Sequence, residues 1–277
     1  MTTTTRTYPA GVPSWVDVEQ PDPAAAAEFY GGLLGWSFTR ATPPDAPVTY
    51  LVAGLDGHDV AGVGSPGPTG HGWTTYVAVD DVEQACRRWE AAGGRVVQEP
   101  QAAGEGGVDA VCVDPAGHEL RLWQAKQRLG AQLTNAPGAW NFSDLHTTDV
   151  AAATAFYADV FGWEVEDLGY ALMVRQPGYG DHLAATVDPG IHDRQAAISA
   201  PPGFADSIAW LVRVDDPAAA GWKVTFTVDD RDAAAARAVE LGGEVLGTDD
   251  TDWTRTALVR DPQGATCTLS EFTPPGG

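Results

Sequence analysis

Residues 15–36 read WVDVEQPDPAAAAEFYGGLLGW, and residues 142–163 repeat the pattern as FSDLHTTDVAAATAFYADVFGW. In each copy an alternating segment leads to an aspartate, Asp22 or Asp149, and then to an alanine-rich segment that contains Phe-Tyr and ends in Gly-Trp. Alternation is typical of a strand, aspartate of a helix N-cap and glycine of a helix end. The repeat therefore predicts a β-α-β opening that occurs twice, in two homologous halves of the chain.

The remainder of each half predicts a second unit of the same kind. In the first half the junction Val79-Asp80-Asp81 precedes a helical segment, a Gly-Gly helix stop and an Asp-Pro-Ala-Gly turn. The second half repeats this order with Val228-Asp229-Asp230 and Asp-Pro-Gln-Gly. The predicted fold class is α+β, with four βαβββ modules in two homologous halves, curved mixed sheets that form cup-shaped cavities, and helices outside.

This order of modules predicts how the chain divides into domains. A flexible Thr-rich tail is expected at residues 1–12, a first domain at 13–125, a linker at 126–138 and a second domain at 139–274. The two domains are expected to be related by the internal repeat.

One region of the second half departs from the repeat. Leu183 to Val187 is the predicted counterpart of the strand at Val60 to Gly64, and residues 188–221 are an insertion. Such an insertion is often a lid or a binding loop, and a surface excursion is the alternative. Its concentrated apolar residues, Ile208, Trp210 and Leu211, are expected to close over the second-half cup.

The composition excludes some classes of binding partner. The 277 residues include 16 Lys and Arg against 38 Asp and Glu, a formal net charge of -22. This charge repels phosphate backbones and anionic membrane surfaces, so neither nucleic acid nor a membrane is an expected partner. No apolar run approaches a membrane span or a signal-peptide core, and the three separated cysteines are expected to be buried thiols. We expect a cytoplasmic protein, monomeric or homodimeric, whose partner is a small molecule.

Taken together, the motifs resemble the vicinal oxygen chelate superfamily, which includes glyoxalase I, bleomycin-resistance proteins and extradiol dioxygenases. The shared features are Asp-x6-Phe-Tyr-x4-Gly-Trp, the Val-Asp-Asp junctions, the Gly-Gly helix stops and the Asp-Pro-x-Gly turns, in the same order in both halves. The chain is most similar to tandem glyoxalase-like proteins with two such domains. The resemblance implies the fold, whereas the superfamily hosts unrelated activities.

The resemblance also implies where a metal would be held. In metal-dependent members, His, Glu or Gln ligands lie on the first and last strands of modules and point into the cup. The matching positions in this sequence are Trp15, Thr74, Phe142, Lys223, Arg121 and Thr268. None of these side chains is a usual donor to a divalent metal, so we expect neither a metal nor another cofactor.

Side chains of one strand parity are expected to line the cup, because successive residues of a strand point to opposite faces. The expected ligand-binding residues are aromatic, hydroxyl-bearing or charged: Trp15, Asp17, Glu19, Thr74, Tyr76, Arg121, Trp123, Phe142, Lys223, Thr225 and Thr268. An aromatic wall with a few charges suits an organic ligand. The alternative is that the charges satisfy one another, Asp17 or Asp144 pairing with Arg121 or Lys223.

The sequence leaves three hypotheses for function. The first is metal-free binding of a bulky aromatic or hydrophobic small molecule, of the natural-product or antibiotic sequestration type. The second is a metal-independent isomerase, lyase or cyclase with His146 as general base and Asp144 as acid or orienting group, because residues two apart share a strand face. The third is an interaction protein with vestigial cups. Glu19 stands where the second half has His146, which predicts that the two cups differ chemically.

Overall fold

The structure, a computed structural model, describes residues 5–68, 70, 72–198 and 200–274. The first of its two sheets contains eight strands: β1 (Pro13–Glu19), β2 (Ser37–Arg40), β3 (Tyr50–Leu55), β4 (His58–Gly64), β5 (Gly72–Ala78), β6 (Arg95–Ala102), β7 (Gly107–Val113) and β8 (Glu119–Ala125). Their order is β2-β3-β4-β1-β5-β8-β7-β6. The sheet is mixed, since β1 pairs with β4 and β5 with β8 in parallel, whereas β3 pairs with β4 and β7 with β8 in antiparallel fashion.

The second sheet repeats this topology. Its strands are β9 (Trp140–Thr147), β10 (Glu164–Asp167), β11 (Leu172–Arg175), β12 (Ser207–Arg213), β13 (Gly221–Thr227), β14 (Glu244–Asp250), β15 (Thr254–Arg260) and β16 (Thr266–Phe272). Their order is β10-β11-β12-β9-β13-β16-β15-β14. The predicted α+β fold, with homologous halves and mixed sheets, is therefore confirmed.

Six α-helices lie within the described ranges: α1 (Pro23–Leu34), α2 (Val82–Ala91), α3 (Val150–Phe161), α4 (Tyr179–Thr186), α5 (Ile191–Ala197) and α6 (Arg231–Glu240). None of them is long and apolar enough to cross a membrane. The helix signals of the repeat are confirmed: Asp22 and Asp149 accept backbone hydrogen bonds as N-caps, and Gly35 and Gly162 end the helices in the left-handed conformation.

The chain divides into two compact units, each containing one module from either half. Unit A contains Thr75–Gly130 and Ser143–Trp222 with the N-terminal segment through Ser14. Unit B contains Trp15–Thr74, Ala131–Phe142 and the chain from Lys223 onward. The domain limits expected from the repeat, at residues 13–125 and 139–274, remain a prediction.

The core of unit A lies between its helices and the inward faces of its strands. Trp89 of α2 packs edge-on against Phe156 of α3, with ring centroids 4.8 Å apart, and both belong to a cluster that includes Leu120 and Leu122. Tyr157 of the repeated Phe-Tyr motif donates a hydrogen bond to Asp114 over 3.0 Å, and the Trp222 indole donates to Tyr157 over 3.1 Å.

Unit B builds its core from the corresponding residues. Trp36 and Phe226 lie 5.4 Å apart between ring centroids. Tyr30 donates a hydrogen bond to Asp261 over 2.9 Å and accepts one from the Trp73 indole over 3.0 Å. The same tryptophan-tyrosine-aspartate chain therefore joins a first-module helix to an Asp-Pro-x-Gly turn in each unit. The three cysteines of the sequence are free and buried, as expected.

Three local predictions were wrong. From Thr5 onward the segment expected to be a flexible tail is packed in unit A: Val12 is buried, Gly11 donates its N–H to the Ala78 carbonyl and accepts the Trp163 indole over 2.6 Å. Residues 1–4 lie outside the described residues. Thr69 and His71 also lie outside them.

The predicted strand at Leu183 to Val187 is helical, because Leu183 lies within α4 and Val187 caps it. The strand that matches β4 is β12, which contains the supposed lid residues Ile208, Trp210 and Leu211 and pairs with β9. Ile208 and Leu211 are buried in the core of unit A. They are therefore strand residues, and the predicted closure of these residues over a cup is wrong.

Candidate functional site

Each sheet has a face that packs against helices and a face that points away from them, here termed the distal face. On β8, Leu120 and Leu122 belong to the helix-covered core, and Arg121 and Trp123 alternate with them. Side chains of a strand alternate between faces, so Arg121 and Trp123 lie on the distal face. The strand parity expected from the sequence therefore holds at this strand.

In unit A, Arg121 is the centre of a buried distal cluster. Its Nη1 donates to the Tyr76 hydroxyl over 2.9 Å, its Cζ lies 5.4 Å from the Tyr76 ring centroid, and its Nε lies 3.6 Å from Glu119 Oε1. Trp123 packs edge-on against Tyr76 at 6.1 Å and donates its indole N–H to the Arg128 carbonyl. A buried guanidinium needs such partners, and here they also hold two aromatic rings in place.

Asp144 is the second distal feature of unit A. Its Oδ1 accepts the backbone N–H of Trp210 over 3.0 Å, and burial raises the pKa of its carboxyl to about 7. His146 lies two residues further along β9, opposite Val212 of β12, and so shares the strand face of Asp144. A partly exposed carboxyl that titrates near neutrality can give or take a proton at physiological pH.

In unit B the equivalent carboxylate, Asp17, is fully buried. Tyr50 of β3 donates its hydroxyl to Asp17 Oδ2 over 3.0 Å and accepts the Trp15 indole N–H over 2.9 Å. The Tyr50 side chain lies over Gly62 of β4, where an added Cβ would come within 2.2 Å of the Tyr50 hydroxyl. Gly62 therefore leaves room for the ring, as a glycine inside a strand often does.

Glu19 is also buried in unit B. Its Oε2 accepts the backbone N–H of Gly67 over 2.7 Å, so the side chain closes the turn after β4. The residue that replaces His146 in the first half thus carries out a structural task.

A further distal group in unit B lies on β13 and β16. Lys223, Thr225 and Thr227 alternate with the buried Val224 and Phe226. Thr225 lies opposite Thr268, and Thr227 opposite Ser270, in the parallel ladder between the two strands. Burial lowers the pKa of the partly buried Lys223 ammonium. Thr227 accepts a hydrogen bond from Asn141 over 3.2 Å.

The remaining predicted residues, Thr74 and Phe142, belong to unit B, where Thr74 is buried and Phe142 is partly buried. Within the described ranges neither Asp144 nor Lys223 forms an ion pair, so these two do not pair with charged residues, whereas the alternative pairing of Asp17 with Arg121 remains a prediction. Asp144 is instead held by a backbone N–H.

Tyr50 was not predicted as a site residue, and Trp210 was predicted in the wrong element. A signal for Tyr50 was present, because the glycines at positions 62 and 64 in an otherwise apolar strand indicate close approach by another group. Trp210 could have been placed from the β-branched and aromatic content of SIAWLVR, which is typical of a strand.

Comparison with known proteins identifies the family. A model of the glyoxalase/bleomycin resistance protein/dioxygenase superfamily matches residues 14–122, and a model of the glyoxalase-like domain matches residues 129–270. The chain belongs to this superfamily. The resemblance of the sequence motifs to tandem glyoxalase-like proteins is therefore confirmed.

Relatives and solved structures agree with this assignment. The chain is 34% identical over 282 residues to the anthracycline biosynthesis protein DnrV of Streptomyces peucetius, covering 96% of this chain and 94% of the relative. It is 32% identical over 267 residues to the putative glyoxylase CFP32 of Mycobacterium tuberculosis, covering 93% and 94%. Its fold is similar to that of the Mn(II)-bound glyoxalase from Novosphingobium aromaticivorans, with a TM-score of 0.59, 17% identity and coverage of 95% of this chain and 82% of that one.

Among the described residues, the side chains that could coordinate a divalent metal such as Mn(II) do not come together. Within the described part of the chain, no three or more His, Cys, Asp or Glu side chains lie together as a group that could hold a metal ion. The strand positions at which the resemblance implies ligands carry indole, phenyl, hydroxyl, ammonium and guanidinium groups, which are not usual donors. The residues described here therefore do not fit a divalent metal.

Proposed function

We propose that the protein binds a bulky aromatic small molecule of natural-product metabolism on the distal faces of its sheets, without using a metal. The observation that carries the proposal is that aromatic rings on these faces are fixed by polar contacts. Tyr76 and Trp123 are held by Arg121 and by a backbone carbonyl, and Trp15 is held by Tyr50. The relatedness to anthracycline biosynthesis proteins of Streptomyces supports a polycyclic aromatic ligand.

The chemistry of these faces suits such a ligand. Flat rings gain affinity by stacking or edge-on packing against fixed aromatic side chains, and a few polar groups set the orientation. Because Tyr76 and Trp123 are already held in place, little side-chain entropy would be lost on binding. The missing donor set in the described residues supports binding through packing and hydrogen bonds, with no metal-bridged oxygen.

Fluorescence titration with an anthracycline such as daunorubicin tests the proposal. We expect wild-type protein treated with EDTA to bind, and Trp123→Ala to weaken binding about tenfold, because one fixed ring typically contributes about 1–1.5 kcal/mol. Trp253→Ala is the matched control, since Trp253 is exposed and stacks on Phe272 at the end of β16. Equal losses in both variants, or binding that disappears with EDTA, would contradict the proposal.

A second candidate function is a metal-independent acid-base enzyme, and Asp144 is the observation that favours it. Its pKa of about 7 and its partial exposure suit proton transfer, and His146 shares its strand face. Incubation of the EDTA-treated protein with polycyclic aromatic substrates, followed by chromatography and mass spectrometry, tests this function. Turnover should be lost in Asp144→Asn and kept in Asp215→Asn, an exposed aspartate on the loop after β12. Retained turnover in Asp144→Asn would remove Asp144 from the reaction.

A further inference from the structure

A polar strip runs along the distal face of unit B and is not explained by packing. It consists of one ammonium and three hydroxyl groups, from Lys223, Thr225, Thr268 and Ser270. Val224, Phe226, Cys267 and Leu269, which alternate with the strip, are buried in the core of the unit. The strip therefore presents its polar atoms on the opposite side of the sheet from the helices.

The strip lacks internal partners. Within the described ranges, the side chains of Lys223, Thr225, Thr268 and Ser270 make no hydrogen bond and no ion pair, whereas the next hydroxyl along β13, that of Thr227, accepts from Asn141. Their polar atoms are also absent from the fully buried, unsatisfied groups of the described residues. Lys223 and Thr268 are partly exposed, whereas Thr225 and Ser270 are largely buried, and within the described ranges none of the four side chains is committed to another contact.

Lys223 is the unusual member of this set. It is partly buried, and the loss of hydration lowers the pKa of its ammonium because no acceptor compensates it. A charge in such a place costs free energy until an opposite charge binds. Arg260 of β15, next to the edge strand β14, also lies on this face and is already bound to Glu244 over 2.9 Å.

We propose that Lys223, with the hydroxyls of Thr225 and Thr268, binds a carboxylate group carried by the aromatic ligand. The proposal deepens the proposed function and rests on it. A carboxylate offers two oxygens with about four acceptor sites, which match the three N–H donors of an ammonium and the neighbouring hydroxyls. A charge-assisted contact of this kind is about twice as strong as a neutral one.

The net charge of the chain makes this local cation more important. At -22 the protein repels an anionic ligand at long range. Screening limits that repulsion to about 8 Å at physiological ionic strength, whereas a direct contact in a partly buried site is screened much less. The contact with Lys223 therefore decides whether an acid or its neutral analogue binds better.

Anthraquinone-2-carboxylate and anthraquinone-2-carboxamide form a matched pair of probes, because the two differ in charge and little in shape. We expect wild-type protein to bind the carboxylate at least about tenfold more tightly than the amide. Lys223→Met should abolish that preference while leaving the affinity for the amide unchanged. The sequence has one other lysine, Lys126, which is exposed and provides the control variant Lys126→Met.

A second measurement protects the test against a folding defect in the variant. Labelling with ¹³C-lysine leaves both ammonium groups unmodified, so NMR can follow the pKa of Lys223 in the wild-type chain. The pKa should lie below that of Lys126, rise when the carboxylate binds and stay constant with the amide.

The outcomes separate this inference from the proposed function. If both probes bind equally and Lys223→Met changes neither, the carboxylate subsite is wrong and aromatic binding stands. If Lys126→Met has the same effect as Lys223→Met, the preference is a surface charge effect, and the subsite is again wrong. If neither probe binds and the Lys223 pKa does not respond, both proposals fail.

Discussion

Asp17 and Asp144 occupy the same place in the two copies of the repeat, yet their surroundings differ. Asp17 of β1 lies opposite Gly62 and accepts the hydroxyl of Tyr50, whose ring lies across that glycine. Asp144 of β9 lies beside Trp210 of β12, because the next pair in this ladder is Leu145 with Leu211. A glycine overlaid by a tyrosine in one copy thus corresponds to a tryptophan in the other.

This difference separates a structural carboxylate from one that can exchange a proton. Asp17 is fully buried and bonded to a side-chain hydroxyl, so its environment is closed by the protein itself. Asp144 is partly exposed, accepts a backbone N–H, and titrates near neutrality. The two copies therefore share the strand but differ in the side chains that surround its aspartate, which is how one fold supports chemically different sites.

The largest loss of stability is expected when the contact between Tyr50 and Asp17 is removed. Tyr50→Ala removes a partly buried ring and leaves the Asp17 carboxylate and the Trp15 indole without this hydroxyl. The combined loss of packing and hydrogen bonding should cost about 3 kcal/mol of unfolding free energy, measured by urea denaturation. Tyr170→Ala is the control, because Tyr170 is 73% exposed in the second half and should cost less than about 0.5 kcal/mol. Equal costs would show that Asp17 does not depend on Tyr50.

The sequence predicts those features of the two copies that depend on residues close together along the chain. The repeat places Asp17 and Asp144 at equivalent positions, and strand parity puts Arg121 and Trp123 on the face away from the helices, because both patterns depend on neighbours along one strand. The caps at Asp22 and Asp149 are equally local.

The parts that the sequence does not predict depend on distant partners. The apolar run at Leu183 to Val187 is short enough to suit a strand or a helix, and its helical form is stabilised by packing of Leu183 in the core of unit A. Nothing local indicates that Tyr157 bonds Asp114 of the first half, or that Tyr30 bonds Asp261 of the second. Which two modules form a unit is therefore decided by tertiary contacts and not by the local sequence.

The second prediction uses pH to distinguish the two aspartates. The pKa of Asp144 is raised from 3.8 to about 7, so between these values the native state keeps a proton that the unfolded chain has lost. The contribution of Asp144 to stability should therefore fall as pH rises from about 4 to about 7 and level off above that range. The full shift corresponds to about 4 kcal/mol, which partial exposure reduces to about 2 kcal/mol.

Asp144→Asn keeps an acceptor for the Trp210 N–H and cannot ionise, so its stability should lack this pH dependence. Urea denaturation of both proteins at several pH values measures the difference. Asp215→Asn, at an exposed site, should follow the wild-type profile. Parallel profiles for wild type and Asp144→Asn would mean that the carboxyl of Asp144 is ionised throughout the range.

The smallest expected loss of stability is that of Gly62→Ala, which tests whether the missing side chain at residue 62 allows Tyr50 to reach Asp17. In Gly62→Ala the new methyl group would lie 2.2 Å from the Tyr50 hydroxyl and 2.9 Å from the Asp17 Cβ. The tyrosine can relieve this clash only by swinging away, which breaks its hydrogen bond to Asp17, so the cost should be about 1–2 kcal/mol. Gly64→Ala is the matched control, since its methyl group would meet the Tyr50 ring at 3.1 Å and needs a much smaller shift. Urea denaturation of the two variants should therefore rank Gly62→Ala as the less stable. If Gly64→Ala proves equally destabilising, the strand rejects any added side chain at these positions, and the space above Gly62 is not specific to Tyr50.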